Sequence, residues 1–323
     1  CGDCSIKSID PFLWYDWPFV FRHRRFLQSL DNICLLTRGA PLSWTSLLTA
    51  IRPMDHVFTG VCQSEDHPGK LIGQIHQSPS NSSAQINYLL QPDGSDPADL
   101  VFLLEGLIKQ AGHWGAKQVT ADLDLDSDLF PQFRRAGFSV LAKQRVFRCK
   151  VPDESTQDQG VWRIWASGDI PVMRRLYLTL VPPLIQPVEP LTRREMLGLV
   201  SYDQKGSLQA YADLVYGPVG VWVLPLIHPQ TETPIDVLLA ELVHSLPERN
   251  GRPIYITARS YQPWVESGLE AIGGEPGPEQ GIMIHYMALQ QRVEAEFQFA
   301  PVENGKPEPT VPYSPIRNQN TES

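Results

Sequence analysis

The sequence lacks an apolar run that could cross a bilayer. Its longest runs, such as Val219 to Ile227, fall far short of the roughly 20 residues that a membrane-spanning helix requires. It also lacks a basic excess. The formal net charge of −9 argues against nucleic-acid binding and fits a neutral or cationic small partner better. The glycine-rich nucleotide loops, the Gly-x-Ser-x-Gly elbow and the His-Glu-x-x-His zinc motif are absent, so those enzyme classes have no support.

An even set of cysteines is missing as well. The chain has five cysteines, and we interpret this odd number as reduced thiols of a cytoplasmic protein. Cys1 and Cys4 form a lone Cys-x-x-Cys pair. A zinc site needs four ligands and a thioredoxin-type site needs a βαβ context, so neither interpretation is favoured. A lipid-modified terminal cysteine is a further alternative.

Length and composition indicate two globular domains. With 323 residues, 42% of them hydrophobic, the chain can form two cores. The polar stretch Val151–Gly160 is interpreted as a linker. The tail is polar and proline-rich, which is typical of disorder. We therefore predict domains at residues 5–150 and 161–289, with a linker at 151–160 and a tail at 290–323.

An internal repeat determines how the two domains are related. Several motifs recur in the same order at an offset of 137 residues: Pro92 with Pro229, Pro97-Ala98-Asp99 with Pro234-Ile235-Asp236, and Val119-Thr120-Ala121 with Ile256-Thr257-Ala258. Near the start of each half the offset is 153, because Asp16-Trp17-Pro18 matches Asp169-Ile170-Pro171. The first half therefore carries roughly 16 extra residues between these blocks.

The sequence pattern of each half predicts the element order β-α-β-β-β-α-β-α-β. An Asp cap followed by proline opens the first helix of each half, and Trp14 and Trp17 are expected to pack that helix on the sheet. Predicted strands lie at Ser5–Ile9, His56–Gln63, Lys70–Gln77, Ala84–Gln91, Gln118–Asp124 and Ser139–Lys150, and at Val161–Ala166, Leu199–Gln204, Leu208–Tyr216, Val219–His228, Pro253–Arg259 and Gly281–Leu289. Short helices are predicted at Leu129–Ala136 and Pro263–Ser267. The predicted fold class is α/β with a mixed sheet, in which an antiparallel meander precedes a crossover helix and a parallel strand.

This order resembles the GCN5-related N-acetyltransferase superfamily. The stretches that carry the resemblance run from Tyr88 to Pro92, over Leu103-Leu104, and from Arg135 to Phe138. The resemblance implies two such domains in tandem and an acyl-CoA-dependent transfer of an acyl group to an amine, with acetyl-CoA as cofactor. Its implied partner is a small-molecule or peptide amine, with no nucleic acid and no membrane span, and a homodimer is one arrangement left open.

The family's cofactor loop has the pattern Gln/Arg-x-x-Gly-x-Gly/Ala before the central helix, where free amides and the helix dipole hold the pyrophosphate. Aligned on Leu103-Leu104, the first half has Ser95, Asp96 and Ala98 at the three defined positions, whereas an alternative register places Gln91, Gly94 and Asp96 there. Together with Leu90, these are the candidate cofactor residues of the first half. In the second half they are Glu232, Thr233 and Ile235. Asp96-Pro97-Ala98-Asp99 and Thr233-Pro234-Ile235-Asp236 depart from the pattern, since both read as acidic capping boxes that would occupy the amides. The alternative is therefore a catalytically inactive binding or scaffold protein that no longer binds CoA.

Catalytic residues are also incomplete. Phe133 and Trp264 stand where the family often has a tyrosine general acid. His76, Tyr88 and His228 are candidate bases for the amine, and each has the alternative of a half-buried strand residue.

Acidic residues alternate along Asp122, Asp124, Asp126 and Asp128. A calcium loop would need Gly and Glu where Ser127 and Phe133 stand, so no metal site is predicted. The run is either a solvated strand end or an acidic wall for a cationic amine. The basic residues Arg22, His23, Arg24 and Arg25 are interpreted as a solvated helix face.

Overall fold

The computed structural model describes residues 8–41, 56–63, 69–78, 81–150, 161–191, 197–247 and 250–287. Cys1, Cys4, the linker at 151–160 and the tail at 290–323 lie outside these residues. The two halves belong to one compact unit. Within the described ranges, 13 strands form one mixed sheet, as the sequence predicts for its class. No helix in these ranges is both long and apolar enough to span a bilayer.

The N-terminal half, up to residue 150, keeps the predicted order of elements. Its strands are β1 (Ile9–Pro11), β2 (Leu27–Ser29), β3 (His56–Gln63), β4 (Lys70–Gln77), β5 (Ser83–Leu90), β6 (Gln118–Asp124) and β7 (Ser139–Cys149). Its helices are α1 (Trp17–His23), α2 (Asn32–Arg38), α3 (Pro97–His113) and α4 (Phe130–Arg135). The sequence predicts neither β2 nor α2. They fall in the stretch where the first half carries extra residues.

The C-terminal half, from residue 161, repeats the order without that insertion. Its strands are β8 (Trp162–Ile164), β9 (Leu197–Tyr202), β10 (Leu208–Tyr216), β11 (Val221–Ile227), β12 (Ile254–Arg259) and β13 (Glu275–Tyr286). Its helices are α5 (Ile170–Leu180), α6 (Ile235–His244) and α7 (Pro263–Ala271). The strands β3–β4–β5 and β9–β10–β11 are antiparallel meanders, while β5–β6 and β11–β12 pair in parallel, which confirms the predicted crossovers.

The two halves exchange their last strands. Strand β13 lies between β6 and β7, and β7 pairs with β12, so the sheet runs without interruption from one half to the other. Each exchanged strand completes the core of the other half. Met283 of β13 packs under α3 and α4, and Phe147 of β7 packs under α6 and α7. Ile282, next to Met283, points to the opposite face and packs against residues of α5, because neighbouring side chains of a strand alternate between faces.

The first helix of each half begins in the same way. Asp16 and Asp169 occupy the cap positions, with a proline in the first turn, as predicted. Their carboxylates do not cap the helix, however. They accept hydrogen bonds from the backbone N–H three residues upstream, from Leu13 at 3.0 Å and from Ala166 at 2.7 Å. The prediction that these side chains satisfy the helix amides is therefore wrong; they close the preceding 3₁₀ turn.

The expectation that the tryptophans pack the first helix on the sheet is wrong for Trp14 and stays a prediction for Trp17. Trp17 is partly buried and contacts the ring of Phe12. Trp14 is 81% exposed and does not pack on the sheet, so that prediction is wrong. Val20, which is buried with Ile72 and Leu90, makes the contact between α1 and the sheet instead.

Candidate functional site

The parallel strands of each half separate after a short paired segment. Strand β5 pairs with β6 only from Ser83 to Gln85, and β11 pairs with β12 only from Val221 to Val223. Beyond these points the edge of β5 or β11 faces a wedge-shaped gap. We call the two gaps the N-terminal splay and the C-terminal splay. Unpaired strand edges of this kind are binding sites for extended ligands, because their backbone groups need partners.

The N-terminal splay is filled by β2. Leu27–Ser29 pair antiparallel with Tyr88–Leu90 on β5. Leu30, which is 1% exposed, continues the contact: its N–H donates to the carbonyl of Asn87, and its carbonyl accepts from the backbone N–H of Asp122, both at 2.8 Å. The inserted segment thus bridges β5 and β6 and uses the backbone groups that a ligand would need.

The C-terminal splay is closed by a side chain. The amide of Gln262, which is 1% exposed, accepts from the N–H of Ile227 and donates to the carbonyl of Pro225, both at 3.1 Å. The indole N–H of Trp264 donates to the carbonyl of Ile227 at 2.9 Å. The primary amide of glutamine presents one donor and one acceptor side by side, so it satisfies this strand edge as a neighbouring strand would.

Replacing Gln262 by alanine is expected to lower the free energy of unfolding by about 2–3 kcal/mol, because it leaves a buried N–H and a buried carbonyl on β11 without partners. Urea unfolding followed by circular dichroism measures this change. Gln230, an exposed glutamine just after β11, provides the control, and Gln230→Ala should change stability by less than about 0.5 kcal/mol. Equal effects of the two substitutions would show that Gln262 does not support the strand edge.

Comparison with known proteins identifies the architecture. No protein-family model matches the chain, and no curated protein sequence matches it. A tandem GNAT protein from the clavulanic acid biosynthesis pathway, solved without acetyl-CoA, superposes with a TM-score of 0.50 at 13% identity, covering 87% of this chain and 98% of that one. A GCN5-related N-acetyltransferase from Sphaerobacter thermophilus gives a TM-score of 0.53 at 12% identity, with 87% and 95% covered.

The chain has the tandem GCN5-related N-acetyltransferase fold. At these identities the likeness concerns the fold, and activity must be argued from the residues.

The loop that precedes the central helix of this fold carries the predicted cofactor residues. In the N-terminal half, Gly94 has a left-handed backbone with φ of 78°, and Ser95 donates to the carbonyl of Pro92. Asp96 caps α3 and accepts from the amide of Ala98 at 2.8 Å, as the sequence predicts. Leu90 is paired on both sides, with Ile72 and with Leu27, and Gln91 follows it. One of the amides that would face a phosphate is therefore already bonded.

The equivalent loop of the C-terminal half differs from its prediction. Helix α6 begins at Ile235 with Pro234 as its cap residue, and no side chain caps it. Thr233, predicted as the cap, instead accepts from the side chain of Gln209 at 3.4 Å. The capping-box prediction is therefore wrong for this half, because proline takes the position that a capping side chain would need.

Two of the three candidate bases, His76 and Tyr88, lie on the paired strands β4 and β5, and His228 lies in the other half. His76 is on β4 opposite Val57, and its Nδ1 is buried without a partner among the described residues. Tyr88 is 9% exposed, and burial raises the pKa of its phenol to about 12. Such a phenol keeps its proton at neutral pH, which argues against a base. His228 follows β11, where its Nδ1 accepts from the amide of Gln230 at 3.1 Å. Their catalytic roles stay predictions.

A cleft of about 1360 Å³, the junction cleft, lies where elements of both halves meet. The alternating acids all line it: Asp122, Asp124, Asp126 and Asp128. Arg24, Arg25 and Arg148 line it as well. The described residues contain no cluster of three or more His, Cys, Asp or Glu that could hold a metal. The lining of the junction cleft therefore offers both carboxylates and guanidinium groups.

Beside this cleft lies a polar cluster built from both halves. Arg259 at the end of β12 is 6% exposed and forms an ion pair with Glu189, which also accepts from Tyr261 at 3.4 Å. Burial lowers the pKa of Arg259, but Glu189, Tyr261 and Asp122 raise it by more, so the guanidinium stays charged. Its Nε and Nη1 have no hydrogen-bond partner in the described part of the chain.

Asp122 connects this cluster to the segment that fills the N-terminal splay. Its carboxylate accepts from the backbone N–H of Asn32 at 3.0 Å, at the start of α2. Desolvation raises the pKa of Asp122 to about 7, although the Asn32 amide and Arg259 oppose this rise, and Asp31 and Glu189 add to it. Near neutral pH the carboxyl is therefore close to half-protonated.

This raised pKa predicts a pH-dependent stability. Between about pH 4 and pH 7 the folded protein holds a proton that the unfolded chain releases, so stability from this group is full below pH 4 and is lost as the pH rises through 7. The loss is at most about 4 kcal/mol. Asp122→Asn should remove this pH-dependent loss, so in urea unfolding the stability of the variant should rise relative to the wild type from about pH 4 to pH 7 and then level off. Parallel pH profiles of the two proteins would contradict the assignment.

Sequence reasoning missed Leu30, Gln262, Arg259 and Glu189. A leucine and a glutamine in loops give no periodic signal, because what they bind is set by strands distant in sequence. Arg259 ends the predicted strand Pro253–Arg259, and a charged residue at the end of an otherwise uncharged strand is the one feature that indicates it in the sequence.

Proposed function

We propose that the chain is a catalytically inactive tandem protein of the GCN5-related N-acetyltransferase fold, which acts by binding and does not use acyl-CoA. The observation that carries this proposal is that both splays are occupied by the chain's own residues. Strand β2 and Leu30 bond the edge of β5, and Gln262 bonds the edge of β11. Acyl-CoA therefore does not fit either position in this arrangement, and no reaction step is assigned to it.

The energetics support the same conclusion. An extended ligand that entered the C-terminal splay would have to displace Gln262. The buried amide of Gln262 would then lose its partners, at a cost of about 1–3 kcal/mol for each polar group left unpaired. In the N-terminal splay it would have to remove a hydrogen-bonded strand together with Leu30. The acidic cap Asp96 would in addition repel a phosphate group by an amount on the order of 1 kcal/mol at close range.

The junction cleft is the proposed binding site. Its carboxylates and guanidinium groups fit a small molecule or peptide that carries an amine together with an anionic group, because each charge then finds an opposite one. Asp126 and Asp128 lie at its exposed acidic side. The cytoplasm is the proposed compartment, and the odd number of cysteines, which gives no even disulfide framework, supports it. We also propose that the first domain ends at residue 150 and that the second begins at residue 161.

Isothermal titration with acetyl-CoA tests the absence of cofactor binding. We expect no saturable heat from the wild type up to millimolar concentrations. Asp96→Gly, which frees the amide of Ala98, should also show none, because β2 still fills the splay. Glu105→Ala, at an exposed acidic residue of α3 outside the loop, is the matched control. Saturable heat with the wild type would overturn the proposal.

A second candidate is the acyl-CoA-dependent N-acyltransferase that the fold suggests. One observation favours it: a cavity of about 480 Å³ lies at the cofactor loop and is lined by Arg22, His23, Gly94 and Ser95, groups that suit a phosphate. Asp93 and Asp99 line the same cavity and oppose an anion. Release of free thiol from acetyl-CoA in the presence of a panel of amines would favour this candidate, provided that the rate falls in the Arg22→Gln variant.

A further inference from the structure

The 3₁₀ turn before α1 presents large apolar side chains to solvent. Trp14 is 81% exposed, and Leu13, Tyr15 and Phe21 are exposed by 43%, 57% and 54%. The rings lie in two neighbouring pairs along the chain, with Trp14 at 6.1 Å from Tyr15 and Trp17 at 5.7 Å from Phe21. Several large exposed apolar side chains close together in the sequence mark an interaction surface more often than scattered single residues do.

The second repeat shows that the fold does not require these aromatic residues. Ala166-Ser167-Gly168 stand at the positions of Leu13-Trp14-Tyr15 and form the same turn, closed in the same way by an aspartate. The backbone angles of Leu13 (φ −120°, ψ 163°) and Ala166 (φ −121°, ψ 165°) agree within a few degrees. The aromatic side chains are therefore an addition to a turn that forms equally well without them.

Basic side chains follow the aromatic turn. Arg22, Arg24 and Arg25 are exposed. The nearby carboxylate of Asp16 is neutralised by Lys70 at 2.7 Å. We call the residues Leu13, Trp14, Tyr15, Phe21, Arg22, Arg24 and Arg25 the aromatic–basic surface. Its basic end borders the junction cleft, which Phe21, Arg24 and Arg25 also line.

We propose that the aromatic–basic surface binds anionic phospholipid membranes. Tryptophan and tyrosine favour the membrane–water interface, where the ring lies among acyl chains and the polar edge stays hydrated. Arginines beside them meet the phosphates and anionic headgroups, and each contributes roughly fivefold to binding near a charged leaflet. An anionic bilayer has an apolar interior beneath a negatively charged headgroup layer, so exposed rings with adjacent cations match it.

The net charge of the chain does not prevent this contact. The formal charge is −9, but charges more than roughly 8 Å from the membrane are screened at physiological ionic strength. The local cations therefore determine the contact, and binding should weaken at low salt, where the distant acids are less screened, as well as at high salt, where the arginines are screened. This inference does not depend on whether the chain binds acyl-CoA.

Co-sedimentation of the full chain with vesicles tests the proposal. Vesicles of phosphatidylcholine with phosphatidylglycerol should bind the wild type, and pure phosphatidylcholine vesicles should bind it at least tenfold less. The triple variant Leu13→Ala/Trp14→Ser/Tyr15→Gly, which takes the sequence of the second repeat, should lose at least tenfold in binding. Arg22→Gln/Arg24→Gln/Arg25→Gln should abolish the preference for the anionic lipid.

The matched control is Leu178→Ser/Leu184→Ser, because these leucines are 56% and 72% exposed in the C-terminal half and lie outside the surface. Its binding should equal that of the wild type, and circular dichroism should show all variants folded. Failure of the wild type to bind anionic vesicles would overturn the proposal. So would a wild-type dimer that the triple variant converts to a monomer, because the aromatic residues would then serve contacts between copies.

Discussion

Residues 1–150, expressed alone, are expected not to form a stable monomer, and residues 161–323 alone are expected to fail in the same way. Each half would lack the strand that the other supplies. The first would lose β13 from the edge of β6 together with the buried Met283, and the second would lose β7 together with the buried Phe147. Removing a side chain such as Phe147 alone costs about 3–5 kcal/mol, which is comparable to the whole stability of a small domain.

Size-exclusion chromatography and thermal unfolding measure this directly. Each half should elute as an aggregate or an exchanged oligomer and show no cooperative transition as a monomer. Mixing or co-expressing the two halves should restore a 1:1 complex with a transition close to that of the full chain. If residues 1–150 formed a monomer in which β7 paired with β6, the exchange would be a consequence of fusion and would not be required for folding.

Arg259→Ala is expected to lower the free energy of unfolding by about 3–5 kcal/mol. The substitution leaves the carboxylate of Glu189, whose side chain is 12% exposed, without its partner in a desolvated site. It also removes a positive charge that lowers the pKa of Asp122, so the carboxyl of Asp122 should titrate at a still higher pH. Urea unfolding measures the first effect, and carbon-13 NMR of the Asp122 carboxyl measures the second.

Two further variants test whether the effect of Arg259→Ala comes from the buried ion pair between Arg259 and Glu189. Lys143→Ala breaks an ion pair with Glu279 in which both side chains are about half exposed, and it should cost less than about 1 kcal/mol. The double variant Arg259→Met/Glu189→Leu should recover most of the lost stability, because no unpaired charge then remains buried. A loss of under 1 kcal/mol in Arg259→Ala would show that water reaches Glu189.

The sequence predicts most of the secondary structure because each element obeys a local rule. Strands β3, β4, β6 and β10 begin and end at the predicted residues, since alternating apolar positions and flanking turn residues define them. The repeat then predicts which elements correspond. Strand β2 was missed because a strand of only three residues cannot show alternation, and its position is fixed by pairing with β5, which lies far away in sequence.

No local sequence rule predicts the strand exchange. Strands β7 and β13 have the same pattern whether each pairs within its own half or with the other, because the alternation of side chains is identical in both cases. The candidate site could be predicted only in part, because only some of its interactions are local in sequence. The cap at Asp96 is a local interaction and was found, whereas the closure of the splays by Leu30 and Gln262 depends on contacts between distant segments.

The exchanged strands also set the order of events during synthesis. Strand β6 remains an unpaired edge when the first half leaves the ribosome, because β13 is made roughly 140 residues after β7, or about 7–28 s later at the usual rate of translation. An exposed strand edge is a template for pairing with other chains. The nascent N-terminal half should therefore be the stage at which this protein aggregates and most needs a chaperone, and slower translation of the second half should lower the yield of folded protein.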